Sequence, residues 1–355
     1  MNIKGLEAVS QADRERFAQR GLVMDSATHY ITRDAHDNIA MDAQPGLVTT
    51  TSSGIPFYLS NFIDPKLIRV LFAPNKAAQI LGEEKKGDWT MNSATFPIIE
   101  HTGEVSSYGD YSENGSANYN ANFPMRQSYH YQTITQWGER EEEMSALARI
   151  NNAAEKNLAS IVVLNKFQNN TYFYGVSGLQ LYGLLNDPSL LPPSAPVPKA
   201  YNSNASGPWI TNGVVTATAN EVYQDIQTLF VDLVQQSDGL VEMDTKMVLA
   251  LSPASSVALT ATNSYNVNVS DLLKKNFPNL RIETAIQYAN TAAGNLVQLI
   301  AESIDGQKTA TTAFTEKLRA HRIIPAMTAF KQKKSQGTWG TIIWMPFAIA
   351  QLVGV

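Results

Sequence analysis

The chain has 355 residues, no cysteine, 27 Lys+Arg against 32 Asp+Glu for a formal charge of −5, and only 17% charged residues. A chain of this size buries roughly three quarters of its unfolded surface, so one large domain or two intertwined ones need neither disulfides nor metals to hold a core. The missing thiols also exclude Cys-based metal centres, nucleophiles and redox switches.

Charge falls well below the roughly 25% usual in soluble domains. Surface polarity is left to Asn, Ser, Thr, Gln and Tyr, as in Tyr108 to Ser128. Interfaces favour such neutral groups over Lys, Glu and Asp, which points to a surface that meets other copies; a surface-displayed β-protein is the competing reading. The amino-terminal sequence MNIKGLEAVSQADRERFAQRG carries no apolar run, and no window approaches the roughly 18 apolar residues of a membrane span. The chain reads as soluble and not exported by an ordinary signal. Its acidity argues against nucleic-acid binding over the whole surface, and the short run Lys331, Lys333, Lys334 reads as a solvated strand edge.

In chain order, residues 1–60 read as an arm with a short polar helix near Gln11 to Arg20. Asp64-Pro65 opens KLIRVLFAPNKAAQIL, a helix interrupted at Pro74 and stopped at Gly82. Residues 89–137 alternate apolar and polar at both ends around a turn-rich middle, which predicts a long two-stranded excursion. Its poorly apolar tip cannot offset its own ordering entropy and is expected to lie on a neighbouring subunit.

From Glu139 an acidic turn (Glu139, Glu141, Glu142, Glu143) leads into a helical pattern without Pro or Gly until Gly175. It predicts one rod of about thirty residues, roughly 45 Å long. A Gly/Pro-rich connector follows. Residues 215–320 read as an α/β unit: a helix capped at Asn220, the strand KMVLALSP, a short helix, a helix capped at Ser270, and the strands RIETA and NLVQLIAE. The tail is predicted as strands on either side of a turn at SQGTWG.

Catalytic patterns fail on spacing. Gly82 and Gly87 have a phosphate-loop interval, but Asp88-Trp89 stands where Lys-Ser is required. Gly175-Val-Ser177-Gly178 brings its second glycine one position early for a hydrolase elbow. His29, His36, His101, His130 and His321 never pair at i, i+4. The adjacent glutamates point around a helix instead of facing across a sugar cleft. Trp89, Trp137, Trp209, Trp339 and Trp344 read as core or interface anchors. No enzyme, cofactor or metal site is expected.

The order of these parts, with QTITQWGEREEEMSALA, TYFYGVSGLQLYGLLNDPSL and KQKKSQGTWGTIIWMPFAIAQLVGV, resembles the major capsid protein family of tailed bacteriophages, whose fold encapsulin shells share. The resemblance covers about residues 50–355. It implies an α+β fold with an N-arm (1–60), a peripheral domain (61–88 and 138–214) with a spine helix over about 139–170, an E-loop (89–137), an axial domain (215–320) and return strands of the peripheral domain (321–355). It also implies self-assembly into pentamers and hexamers of an icosahedral head, put together in the bacterial host cytoplasm, around double-stranded DNA held by weak nonspecific contact. Portal, scaffolding and decoration proteins are further implied partners, with no membrane. E-loop residues Glu104, Tyr108, Tyr111, Asn118 and Arg126 would contact the adjacent subunit, and Trp137, Glu139, Arg140, Glu141, Glu142 and Glu143 mark the entrance to the spine.

Two departures sharpen this. No Lys occurs between Lys86 and Lys156, so the loop has no amine for the isopeptide crosslink of some members, and a noncovalent shell is expected. The arm is too short for the scaffolding extension of others, so scaffolding, if any, is expected to be a separate protein. An encapsulin-type compartment, a surface glycan-binding β-protein and a hydrolase using the Glu cluster remain as alternatives.

Overall fold

The computed structural model describes residues 75–147, 150–203, 205–289 and 294–355. The expected arm of residues 1–60 and the Asp64-Pro65 helix start lie outside them.

Helix α1 (Ala77–Leu81) follows Pro74 and ends where Gly82 takes φ +78°, as its stop signal predicts. Strand β1 (Glu83–Lys85) then runs parallel to β16 (Ala310–Ala326); β16 pairs antiparallel with β17 (Ala329–Ile343), and β17 with β6 (Tyr129–Gly138). This four-stranded sheet, in the order β1-β16-β17-β6, is the first of two. Between β1 and β6 the chain leaves as two short ladders, β2 (Ser93–Thr95) with β5 (Met125–Gln127) and β3 (Ile98–Glu104) with β4 (Ser116–Asn122). The excursion is therefore shorter than its predicted 89–137: the alternation at Tyr129 to Trp137 belongs to β6, in the main sheet.

The predicted single rod is two helices, α2 (Glu139–Leu147) and α3 (Asn152–Tyr174). The break has a local cause. Asn151 caps α3, its Oδ1 accepting from Ala154 N at 3.0 Å, while Ile150 N reaches back five residues to Ser145 O. The 23 residues of α3 span about 35 Å. Its inner face meets the sheet at Leu164 and Phe167, the latter 4.6 Å from the Tyr131 ring.

Four two-residue strands follow, β7 (Pro198–Lys199), β8 (Ala205–Ser206), β9 (Ile210–Thr211) and β10 (Val214–Val215). They precede α4 (Ala219–Gln236), β11 (Met247–Leu251), α5 (Pro253–Ala258), α6 (Val269–Asn276), β12 (Leu280–Thr284) and β13 (Leu296–Ala301). After a small hairpin of β14 (Ser303–Ile304) and β15 (Gln307–Lys308), the chain enters β16 and β17 and closes with β18 (Ile349–Val353). The second sheet has the order β12-β11-β13-β18. Its strands alternate between two cores: Met247, Leu249 and Leu251 face α4 and α6, whereas Val248 and Ala250 face Phe173 and Tyr288. Both faces are covered, which is why KMVLALSP reads as an unbroken apolar run.

Several boundaries move. Thr218, not Asn220, caps α4 in a reciprocal box with Glu221, and α6 begins after Asn268, before Ser270. The connector belongs with the second sheet: Trp209 is buried in that core, and Lys199 pairs with Asp225 on α4, both fully buried. Residues 310–320 lie in the first sheet and 349–353 in the second, so the expected limits at 320 and 355 both shift. SQGTWG lies mid-strand; the turn is at Met327, φ +50°. Gly337 and Gly340 answer to packing: a Cβ would stand 2.1 Å from Thr315 Oγ1 and 2.4 Å from Tyr182 O, respectively. The Lys331 to Lys334 run is likewise no edge, because β17 lies between β16 and β6. Among the described residues no helix is long and apolar enough to cross a membrane.

Candidate assembly site

The hairpin β3–β4 stands clear of the described residues. Every residue of β4 is exposed, and of β3 all but Ile98. At its tip Val105, Tyr108 and Tyr111 are 100%, 93% and 101% exposed. Local polar bonds shape the tip: Tyr108 Oη donates to Asp110 Oδ1 (2.9 Å), and Ser106 Oγ to Asn114 O (2.7 Å). Gly103 is required by the pairing, since a Cβ would come 2.7 Å from Ser116 O. Residues 98–122 carry Glu100, Glu104, Asp110 and Glu113 and no Lys or Arg. A two-stranded ribbon is marginal by itself, and one with aromatic side chains held in water is built to be covered.

Glu104 closes the ladder opposite Ser116, and Asn118 pairs with Thr102 while its Oδ1 accepts from Tyr119 N (2.8 Å). Arg126 differs. It donates to Asp187 Oδ2 at 2.8 Å and lies 4.7 Å from the Tyr182 ring, with side chains 12% and 1% exposed in the ion pair. Asp187 is further held by Ser189 N and Oγ. Its charge is engaged in its own chain, where it ties the root of the ribbon to the loop after α3.

At the start of α2, Trp137 is buried and stacks on Phe330 (6.2 Å between rings). Glu139, Arg140, Glu141, Glu142 and Glu143 are all exposed. Glu141 pairs with Lys156, which holds its carboxyl below the usual range. No residue of α2 is buried.

Sequence reasoning missed Lys334. It is 4% exposed and donates to Asn157 O (3.0 Å), Asn157 Oδ1 (3.0 Å) and Ser160 Oγ (2.8 Å) on α3, with no carboxylate partner among the described residues; burial lowers its pKa. Nearby, Gln336 accepts from Tyr131 Oη (2.7 Å) and donates to Asn165 Oδ1 (3.0 Å), and Thr341 Oγ1 donates to Tyr172 O (2.6 Å). These polar bonds fasten α3 to β17 along its length. The only advance signal was a cluster of Lys, Gln and Thr with period-two spacing, which is also what a solvent face looks like.

Among the described residues the surface holds ion pairs and two hollows. A cleft of about 440 Å³ beside α1 contains Arg281, which donates to Gln79 O (2.7 Å) and Glu302 (2.7 Å). A depression of about 470 Å³ at Phe230, Val234, Val241 and Met243 is apolar. No group of His, Asp or Glu suited to a metal occurs among the described residues.

Comparison with known proteins gives the context. No curated protein matches the chain. The capsid of Myoviridae Phage XM1 superposes with a TM-score of 0.69 at 15% identity, covering 86% of this chain and all of that one. The capsid of the native GTA particle gives 0.56 at 13%, covering 86% and 99%, and that of Gordonia phage Cozz 0.53 at 9%, covering 87% and 98%. The family model of the Pa193 gp26 major capsid protein matches residues 46–354. With that match across most of its length, and with an α+β fold shared with phage capsid subunits, the chain belongs to the Pa193 gp26 major capsid protein family and is a structural protein of a phage head.

Proposed function

We propose that this subunit closes an icosahedral shell of pentamers and hexamers around double-stranded DNA, held by contacts between copies and no covalent bond. In this reading the ribbon at residues 93–127 is the E-loop, laid over an adjacent copy through Glu104, Tyr108, Tyr111 and Asn118, with Arg126 setting its angle. Residues 1–60 are the N-arm, α3 is the spine, and the second sheet with α4 and α6 forms the axial domain. The observation that carries this is the ribbon, whose exposed aromatic tip, covered by none of the described residues, calls for a neighbouring surface.

Assembly takes place in the bacterial host cytoplasm, on a separate scaffolding protein if on any, and a portal and decoration proteins complete the particle. The DNA is met weakly and without sequence preference, in keeping with a chain of net charge −5.

The chain expressed alone and imaged by negative-stain electron microscopy is expected to give closed or partial shells; a clean monomer at high concentration overturns the reading. Boiled denaturing gels of purified particles are expected to show one band near 38.9 kDa. A ladder of multimers there means a covalent shell.

A further inference from the structure

The hairpin β16–β17 brings together cations that the sequence keeps apart. Ile324 pairs with Lys331, Lys331 with Gln136 on β6, and Lys333 with Ile134. Lys331 and Lys333 therefore share one sheet face, with Lys334 on the opposite face against α3. Arg322, two residues before Ile324, stands beside them. Arg322, Lys331 and Lys333 are exposed, and none is in an ion pair among the described residues. Ile134 and Ile324 on this face, with Met327 at the turn, add exposed apolar surface at 60%, 57% and 104%.

At the same end of the molecule, Glu139 N donates to Thr328 O (2.9 Å), which puts the start of α2 against the hairpin turn. Nine residues fall short of the roughly 12–15 that an isolated helix needs in water, and none of these is buried. Glu139, Glu142 and Glu143 are exposed and likewise unpaired among the described residues, and Met144 and Leu147 are 60% and 88% exposed. The two faces complement each other in charge and in apolar content, and among the described residues no ion pair joins them within one chain.

We propose that the open face of β16–β17 docks on α2 of a second copy, Lys331, Lys333 and Arg322 meeting Glu142, Glu143 and Glu139, with Ile324 and Met327 covering Met144 and Leu147. Because both faces lie at one end of the subunit, an axis through that end lets each copy give and receive the contact. This contact is separate from the E-loop, and it rests on the shell reading.

The test is a charge-reversal cycle in the full chain: Lys331→Glu with Lys333→Glu, Glu142→Lys with Glu143→Lys, and all four together. All four side chains are exposed, so each subunit is expected to fold with wild-type circular dichroism. Each pair alone is expected to lower particle yield at least about tenfold, and the quadruple variant to restore most of it, because like charges across an interface repel and the swap makes them opposite again.

Proximity has an independent readout in a chain without cysteine. Glu143→Cys subunits co-assembled with Lys331→Cys subunits are expected to give a disulfide dimer on a non-reducing gel. If wild-type subunits fail to assemble under any condition, the shell reading falls and takes this contact with it. If wild type assembles and the single pairs assemble as well, or the quadruple variant is folded but not rescued, or no dimer forms, only this contact is overturned. Residues 1–74, or a polyanion on the basic face, would then be its occupant; loss of DNA retention in intact Lys331→Glu/Lys333→Glu shells identifies the polyanion.

Discussion

The two four-stranded sheets solve the same packing problem with opposite chemistry. The second is largely apolar on both faces: β11 buries Met247, Val248, Leu249, Ala250 and Leu251 in succession, and the buried Gln298 and Gln351 bond to each other across β13 and β18. In the first, the central strand β17 buries Lys334, Ser335, Gln336, Thr338 and Thr341 almost as deeply, with Gly337 and Gly340 between them. Apolar burial is stabilising wherever it fits, whereas buried polar groups are tolerated only when each finds its partner. The second sheet is therefore a robust platform. The first is a set of fixed distances, in which α3 sits at one register on β17 because Asn157, Asn165 and Tyr172 have their partners there and nowhere else.

This contrast can be broken from either side. The largest loss is expected at the ribbon root. Asp187→Ala leaves the Arg126 guanidinium buried without its carboxylate, at about 3–5 kcal/mol; chemical denaturation of unassembled subunits measures it, and a loss under 1 kcal/mol would show that the pair contributes little. In the second sheet Leu249→Ala is expected to cost about 2–5 kcal/mol by transfer and cavity terms, again read by denaturant midpoint.

In the first sheet Gln336→Ala removes two hydrogen bonds and strands Tyr131 Oη and Asn165, at about 1–3 kcal/mol. Gln336→Leu is not expected to recover it, because the orphaned groups remain. Thr218→Ala at the α4 cap is expected to cost about 1 kcal/mol. The smallest effect is a pH slope. Burial lowers the pKa of Lys334 in the folded state, so the folded chain binds fewer protons than the unfolded one just below the ordinary lysine value, and stability rises with pH there. Lys334→Met is expected to flatten that rise in melting experiments across the alkaline range.

The same contrast explains what could be read in advance. Near-continuous apolar runs carried β11 and β13, and a 3.6-residue apolar pattern carried α4, because burial there is mostly apolar and leaves a mark on composition. The exposed ribbon was legible for the inverse reason: a stretch such as YGDYSENGSANYN has nothing to bury. The first sheet was misread where its interior is polar. SQGTWG has the residues of a turn, yet its glycines are there because β16 and the loop at Tyr182 approach too closely for a Cβ. The break between α2 and α3 hid in the pair Asn151-Asn152, where a cap competes with helix continuation inside a sequence free of Pro and Gly. The partner of Arg126 could not be named from sequence, since Asp187 is 61 residues away.

The continuity of β5 into β6, with only Ser128 between them, has a mechanical consequence. A pull on the tip of the ribbon, along its length, is shared by β3 and β4, which enter and leave the ladder side by side. Past Arg126 the same pull enters β6, whose ten residues are laddered to β17 from Tyr129 to Gly138. That ladder is loaded in shear, so its bonds must fail together. Tension on the ribbon is thus carried by the ten-residue ladder of β6 on β17, and the sheet behind it keeps its shape.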